Sequence, residues 1–262
     1  MSASVPPRPD LDVDLGPTEI GRPMATWRWW EVAAAALFAW LVGALASVPV
    51  LALLGPDAGG PIGGAGLLAG IVSNTVTMIV LVLWLRAAHP HWVRIVGWPD
   101  RKRAVPELAV GAGLGILVRI ASGMVAAATV VVIEGASDRA VDLPTQIDPD
   151  LSGWGIASFA IFAVIAAPVL EEFIFRGLLF RSIADRSGFW PGAIVSATAF
   201  GAYHLLTPGD GLSVLALGIT HVGTGFGLAW IYWTRKNLLA TIGGHAVFNL
   251  IAVVAITAGW EV

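Results

Sequence analysis

Residues 32–54 read VAAAALFAWLVGALASVPVLALL, 23 consecutive positions without a charge. As a helix rising 1.5 Å per residue this run is about 35 Å long, and a hydrocarbon core needs only about 20 such residues to be crossed. Residues 62–85 repeat the pattern, again with no charge. Outward from this pair, residues 108–133 are interrupted only by Arg119, and residues 156–180 carry Glu171, Glu172 and Arg176. Residues 189–206, 211–234 and 237–260 follow, holding His204, His221 and His245 in turn. The expected fold is therefore all-α, a polytopic transmembrane helix bundle of about seven spans with room for an eighth. It would be a multi-pass protein of the cell membrane, with the bilayer as its main partner.

Composition agrees with that reading. Hydrophobic residues make up 56% of the 262 and charged ones 13%, with a mean hydropathy of +0.79. Soluble domains are about 25% charged, and one soluble core of this size could not hide so many apolar side chains. The net charge of −3 offers no basic surface for phosphates, so nucleic acid is not an expected partner. Cysteine is absent, which removes disulfides, thiolate ligands and a cysteine nucleophile.

Residues 1–28 are rich in proline, hydroxyl and charged residues, and are read as a disordered cytoplasmic tail with too little apolar surface to offset the entropy of ordering. Residues 29–262 form the transmembrane domain. Cations set its orientation. Arg86, Arg94, Arg101, Lys102 and Arg103 fall between the second and third spans, whereas Glu134, Asp138, Asp142, Asp148 and Asp150 crowd the next loop with only Arg139. Arg181, Arg186, Arg235 and Lys236 lie in later loops on the first side, so the N-terminus is expected in the cytoplasm. His89 and His91 sit in the basic loop and are expected to be solvated. Gly111 with Gly115, and Gly223 with Gly227, have the four-residue spacing that lets helices approach closely in lipid.

A carboxylate inside a span costs on the order of 3 kcal/mol, so EEFIFR at residues 171–176 needs a reason. Glu172 and Arg176 are four apart and share a helix face as a natural ion pair. Glu171 points about 100° away and is left for other groups. Span five ends its FGAYH run at His204, and span seven has HAVFN, with His245 and Asn249 four apart on one face. Counted from Arg181 and Asn237, Glu171 and His245 lie roughly 12 to 15 Å deep, while His204 falls deeper, which a regular arrangement of span five does not explain. Peptide hydrolysis needs a base for water and donors for the developing oxyanion, and Glu171 is the best base candidate. Two histidines and a glutamate also suit catalytic zinc, so Glu171, His204 and His245 are the candidate ligands of a metal-ion alternative. The HExxH of zinc peptidases is missing, as are a rhomboid-like GxSG and the YD and GxGD aspartate pair.

EExxxR, FxxxH and HxxxN, in that order on successive hydrophobic segments, resemble the CAAX-protease and bacteriocin-processing (CPBP, or Abi) family of intramembrane peptidases, which includes CAAX prenyl endopeptidases. The resemblance covers roughly residues 150–252. It implies that Glu171 and His204 activate water, that His245 and Asn249 stabilise the oxyanion, and that Glu172 and Arg176 support the site. It implies an intramembrane endopeptidase, metalloprotease-like in some descriptions, acting on a membrane-associated peptide or protein. The competing reading is a non-hydrolytic membrane protein of the same fold, such as a bacteriocin-immunity or scaffolding factor. His221 and Arg119 lie outside the motifs and are read as structural. Thirteen arginines against two lysines, in an alanine-rich chain, suggest a GC-rich prokaryotic gene, in which prenylated substrates are not expected.

Overall fold

The computed structural model describes residues 23–54, 64–143, 154–207 and 209–258. Residues 1–22 of the expected tail, Asp148, Asp150 and Trp260 lie outside them. The described chain is a polytopic helix bundle. Helices α1 (Trp29–Leu54) and α2 (Gly64–Ala88) pack as an antiparallel hairpin, followed by the short α3 (Trp92–Val96) and by α4 (Arg101–Ser137). The next helix, α5, runs unbroken from Trp154 to Ser187, with π-helical turns at Phe162–Ala166 and Phe173–Phe180. α6 (Phe189–His204), α7 (Gly211–Arg235) and α8 (Leu238–Thr257) complete it. Among the described residues, six helical stretches are long and apolar enough to cross a membrane. Their outward side chains, among them Leu45, Leu53, Ile120 and Val131, are exposed, as expected of a surface solvated by lipid.

The fifth expected span is shorter than its sequence suggested. Helix α6 has 16 residues, about 24 Å, against the roughly 30 Å of a hydrocarbon core. It starts beyond Gly188, whose φ of +82° breaks the helix at little cost for a residue without Cβ. The preceding helix, in turn, does not stop near Phe180 but continues to Ser187. Glu171 is then 17 residues before Gly188 and His204 16 residues after it, on two antiparallel neighbours. The expected depth mismatch vanishes, because both arms of the hairpin must be counted from Gly188 rather than from Arg181.

Loops assigned to one side by their cations meet one another. Glu107, at the start of α4, accepts bonds from Arg235 at the end of α7 at 3.1 and 3.0 Å. On the opposite side Arg139 pairs with Asp210 at 3.1 Å.

Two sequence readings are corrected at the first of these ends. Residues 23–28, assigned to the tail, are docked on the end of α5. Arg181 Nη2 donates to the Pro23 carbonyl at 2.6 Å, Arg186 Nη2 to the Ala25 carbonyl at 2.8 Å, and the Ala25 N–H donates to Asp185 at 2.8 Å. Trp27 is fully buried and its Nε1–H donates to the Leu178 carbonyl at 3.0 Å. A segment without an apolar face of its own can still be held by one indole and by backbone groups that satisfy buried charges. His89 is likewise not solvated. It is buried, bonds Thr26 Oγ1 through Nδ1 at 3.0 Å, and lies edge-on to Trp27 and Trp84. Desolvation holds its pKa below the ordinary 6.5, against the opposing charge of Glu31. Trp27→Ala is expected to destabilise the protein by about 3 to 5 kcal/mol, the usual range for truncating a buried tryptophan. Deleting residues 1–27 should cost more, because Arg181, Arg186 and Asp185 then lose partners. Thermal melts of the purified variants in detergent measure both, and an unchanged melting temperature would show that the docked segment adds nothing to stability.

Helix α8 is pressed against α4 without intervening side chains. A Cβ at Gly111 would collide with the Ala240 carbonyl, and one at Gly115 with that of Gly244. This is the close approach expected from the glycine spacing. It has a functional consequence, since the residue after Gly244 is His245.

Candidate active site

The site begins with the irregular geometry of α5. In a π-turn the N–H of residue i+5 answers the carbonyl of residue i, so a side chain can easily take over an unanswered carbonyl. Carbonyls in the π-helical turns accept from side chains on other elements: Ala163 from Asn249 Nδ2 at 2.7 Å, Phe175 from Ser196 at 2.9 Å and Leu178 from Trp27. Ala163 shows the cause, since the residue five further on is Pro168, which has no N–H to give. These bonds tie α8, α6 and the N-terminal segment to the helix that carries both glutamates.

Between the two π-turns stand Glu171 and Glu172. Glu172 Oε1 accepts from Arg176 Nη1 at 2.7 Å and from His245 Nδ1, also at 2.7 Å, and all three residues are buried. The expected Glu172–Arg176 pair is present. Glu172 is not confined to it, however, and reaches His245, 73 residues away, as well. With Nδ1–H given to Glu172, the imidazole has a defined orientation and turns Nε2 toward Glu171, whose Oε2 lies 3.8 Å away. That is ion-pair range but longer than a hydrogen bond. Glu171 is also the more open of the two acids, 16% exposed against 0% for Glu172.

Arg176 is completed by a bond from Nη2 to the Gly225 carbonyl at 3.0 Å, and its guanidinium carbon lies 4.6 Å from the centre of the Phe200 ring. Phe200 is the hub of the site. Its ring is 5.7 Å from that of His245, 4.7 Å from that of His204 and 5.9 Å from that of His221. His204 donates Nδ1–H to the Phe200 carbonyl at 2.8 Å, which leaves Nε2 as the acceptor of the neutral ring.

Glu171, Glu172, Arg176 and His245 thus form one connected cluster, with His204 joined to it through Phe200. Asn249 is one helical turn from His245, half-buried, with its amide engaged by the Ala163 carbonyl. Phe200 is the member that sequence reasoning did not single out, and His221, read there as structural, lies beside it. The phenylalanine of FxxxH was a usable signal; the ring contacts of His221 with Phe200 and His204 were not legible, because they cross between helices. Among the described residues, no three His, Asp or Glu side chains are grouped to hold a metal ion. Glu171, His204 and His245 do not form such a group as placed, while His245 and His204 are each bonded through Nδ1 and keep Nε2 for another partner.

Residues 153–251 match the family described as Type II CAAX prenyl endopeptidase Rce1-like. A protein named Putative membrane peptidase YdiL, from Bacillus subtilis (strain 168), is 27% identical over 94 residues, which are 36% of this chain and 35% of that relative. The chain thus spans about a third of the length of the curated relative it matches. No solved structure matches the chain. The family match begins at the foot of α5 and ends two residues beyond Asn249, so it contains the whole cluster around Glu172. The likeness to the Rce1-like CAAX prenyl endopeptidase family is therefore confined to residues 153–251, the part of the chain that carries every residue of the cluster.

Proposed function

We propose that this protein is an intramembrane endopeptidase that hydrolyses a peptide bond of a membrane-associated substrate with water activated by Glu171 and His204. The observation that carries the reading is the pair of adjacent glutamates with different tasks around one histidine. Glu172 orients His245 through Nδ1, while Glu171 faces Nε2 from 3.8 Å. Glu171 takes a proton from water, whose other hydrogen is accepted by His204 Nε2, and the hydroxide oxygen bonds to the peptide carbonyl carbon. The oxyanion is received by His245 Nε2–H and the Asn249 amide. For this His245 must carry both ring protons, and the Glu172 carboxylate is the counter-charge such an imidazolium needs. When the C–N bond breaks, Glu171 returns its proton to the leaving nitrogen, giving a carboxylic acid and an amine, and the acid proton then passes to the amine to leave a carboxylate and an ammonium.

Membranes from cells carrying wild-type protein and from cells carrying Glu171→Ala decide between hydrolysis and a scaffolding role. Peptide termini present only with the wild type are expected, and identical terminal peptidomes would overturn the proposal. In purified protein, cleavage of a substrate found this way is expected to survive a chelator, because the three candidate ligands are not grouped around one ion. Loss of turnover in chelator, restored by zinc, would reinstate the metal-ion alternative.

A further inference from the structure

We propose that His221 is a positioning residue for His204, its ring held in the middle of α7 and stacked on the His204 ring so that Nε2 stays aimed at the attacking water. This rests on the peptidase reading of the site. His204 is the last residue of α6, where carbonyls lack helical partners and the chain frays most readily. A reacting group at such a place needs an anchor outside its own helix. Its Nδ1–H bond to Phe200 and its ring contacts with Phe200 and Tyr203, at 4.7 and 5.4 Å, all come from α6 and would move with it.

His221 supplies the contact from another element. The two imidazoles lie 3.7 Å apart at an interplanar angle of 18°, a face-to-face stack. His221 stands well inside a 25-residue helix, and its Nδ1–H is locked on the Leu217 carbonyl at 2.8 Å. That helix is in turn fastened at the same level. Thr224 bonds Ser122 of α4 at 2.8 Å, and the Gly225 carbonyl accepts from Arg176. A hydrogen bond at one ring nitrogen restrains only part of the ring's motion. A flat neighbour on the ring face restrains the remainder, and this requires a planar side chain rather than a titrating one.

The test uses full-length protein in lipid nanodiscs, with His221→Ala, His221→Phe and His221→Asn, and a peptide spanning the Glu171-dependent cleavage site. His221→Ala is expected to lower kcat by roughly 10- to 100-fold with KM and melting temperature unchanged, the scale of a slightly misplaced catalytic group. His221→Phe, which keeps a planar face, should recover most of that loss. His221→Asn, which keeps polarity but not the face, should stay as slow as Ala. The 15N spectrum of His204 should report one Nδ1-protonated tautomer in the wild type and in His221→Phe, and exchange between tautomers in His221→Ala. A fully active His221→Ala, or a His221→Phe as slow as Ala, would overturn the proposal. Should His221→Ala simply unfold, Phe against Asn decides instead: a faster Phe variant supports the stacking role, and equal rates overturn it. Absence of any turnover in the wild type would sink the peptidase reading, whereas the tautomer spectra would still support or overturn the stacking role.

Discussion

Glu171→Gln is expected to lower turnover by roughly 10²- to 10⁴-fold, the range supplied by a positioned general base, while the protein folds and melts as the wild type does. The substitution keeps shape and polarity and removes only the capacity to take a proton. The fold should tolerate it because Glu171 is partly open and its ion-pair contact is the long 3.8 Å approach to His245. Glu172→Gln should behave differently. It weakens two bonds of 2.7 Å at a fully buried carboxylate, one to Arg176 and one to His245, so both stability and turnover should fall. Turnover assays and thermal melts on the two variants separate the roles. An active Glu171→Gln protein, or a Glu172→Gln protein that is inactive but as stable as wild type, would mean that the tasks of base and orienting acid are reversed.

Within the site, Arg176→Leu is expected to destabilise the protein by about 3 to 5 kcal/mol, because removing one member of a buried charge pair leaves the Glu172 carboxylate without its guanidinium. Arg176 is fully buried and holds three things at once: the Glu172 carboxylate, the Gly225 carbonyl and the face of Phe200. Adding Glu172→Leu to Arg176→Leu should restore much of the lost stability, since the stranded acid is gone and an apolar pair suits a lipid-embedded bundle. Activity should not return with it, because His245 Nδ1 then has no acceptor to orient the ring. A double variant as unstable as Arg176→Leu alone would show that the guanidinium acts mainly through Gly225 and Phe200. A double variant with wild-type turnover would remove Glu172 from the mechanism.

Much of the architecture was legible along the chain, because crossing a bilayer is a local requirement. About 20 apolar residues suffice whatever their neighbours are, so residues 32–54 and 62–85 announce themselves, and cations beside a span announce its side. The Glu172–Arg176 pair was equally local, being four residues apart on one helix. The docking of Pro23 to Arg28 was not, because it depends on carbonyls and charges contributed by residues near 180, and the burial of His89 follows from that docked segment through Thr26 and Trp27. The length of α6 escaped as well. Hydrophobicity continues past His204 through Leu205 and Leu206, and an apolar run does not say where its helix stops.

From the sequence alone came the spans and the inventory of acids, imidazoles and amide on three apolar segments. Only the tertiary structure decided which of these touch. It brought Glu172 to His245 across 73 residues, set Glu171 level with His204 on either side of Gly188, gave the Asn249 amide to the carbonyl that Pro168 leaves unanswered, and laid His221 on His204. The physical reason is that spans such as residues 32–54 and 62–85 are apolar on every side, so composition marks the depth of a residue but not its direction. Direction is chosen where backbones meet without side chains, as at Gly115 and Gly244, and where a buried polar atom has one partner within reach.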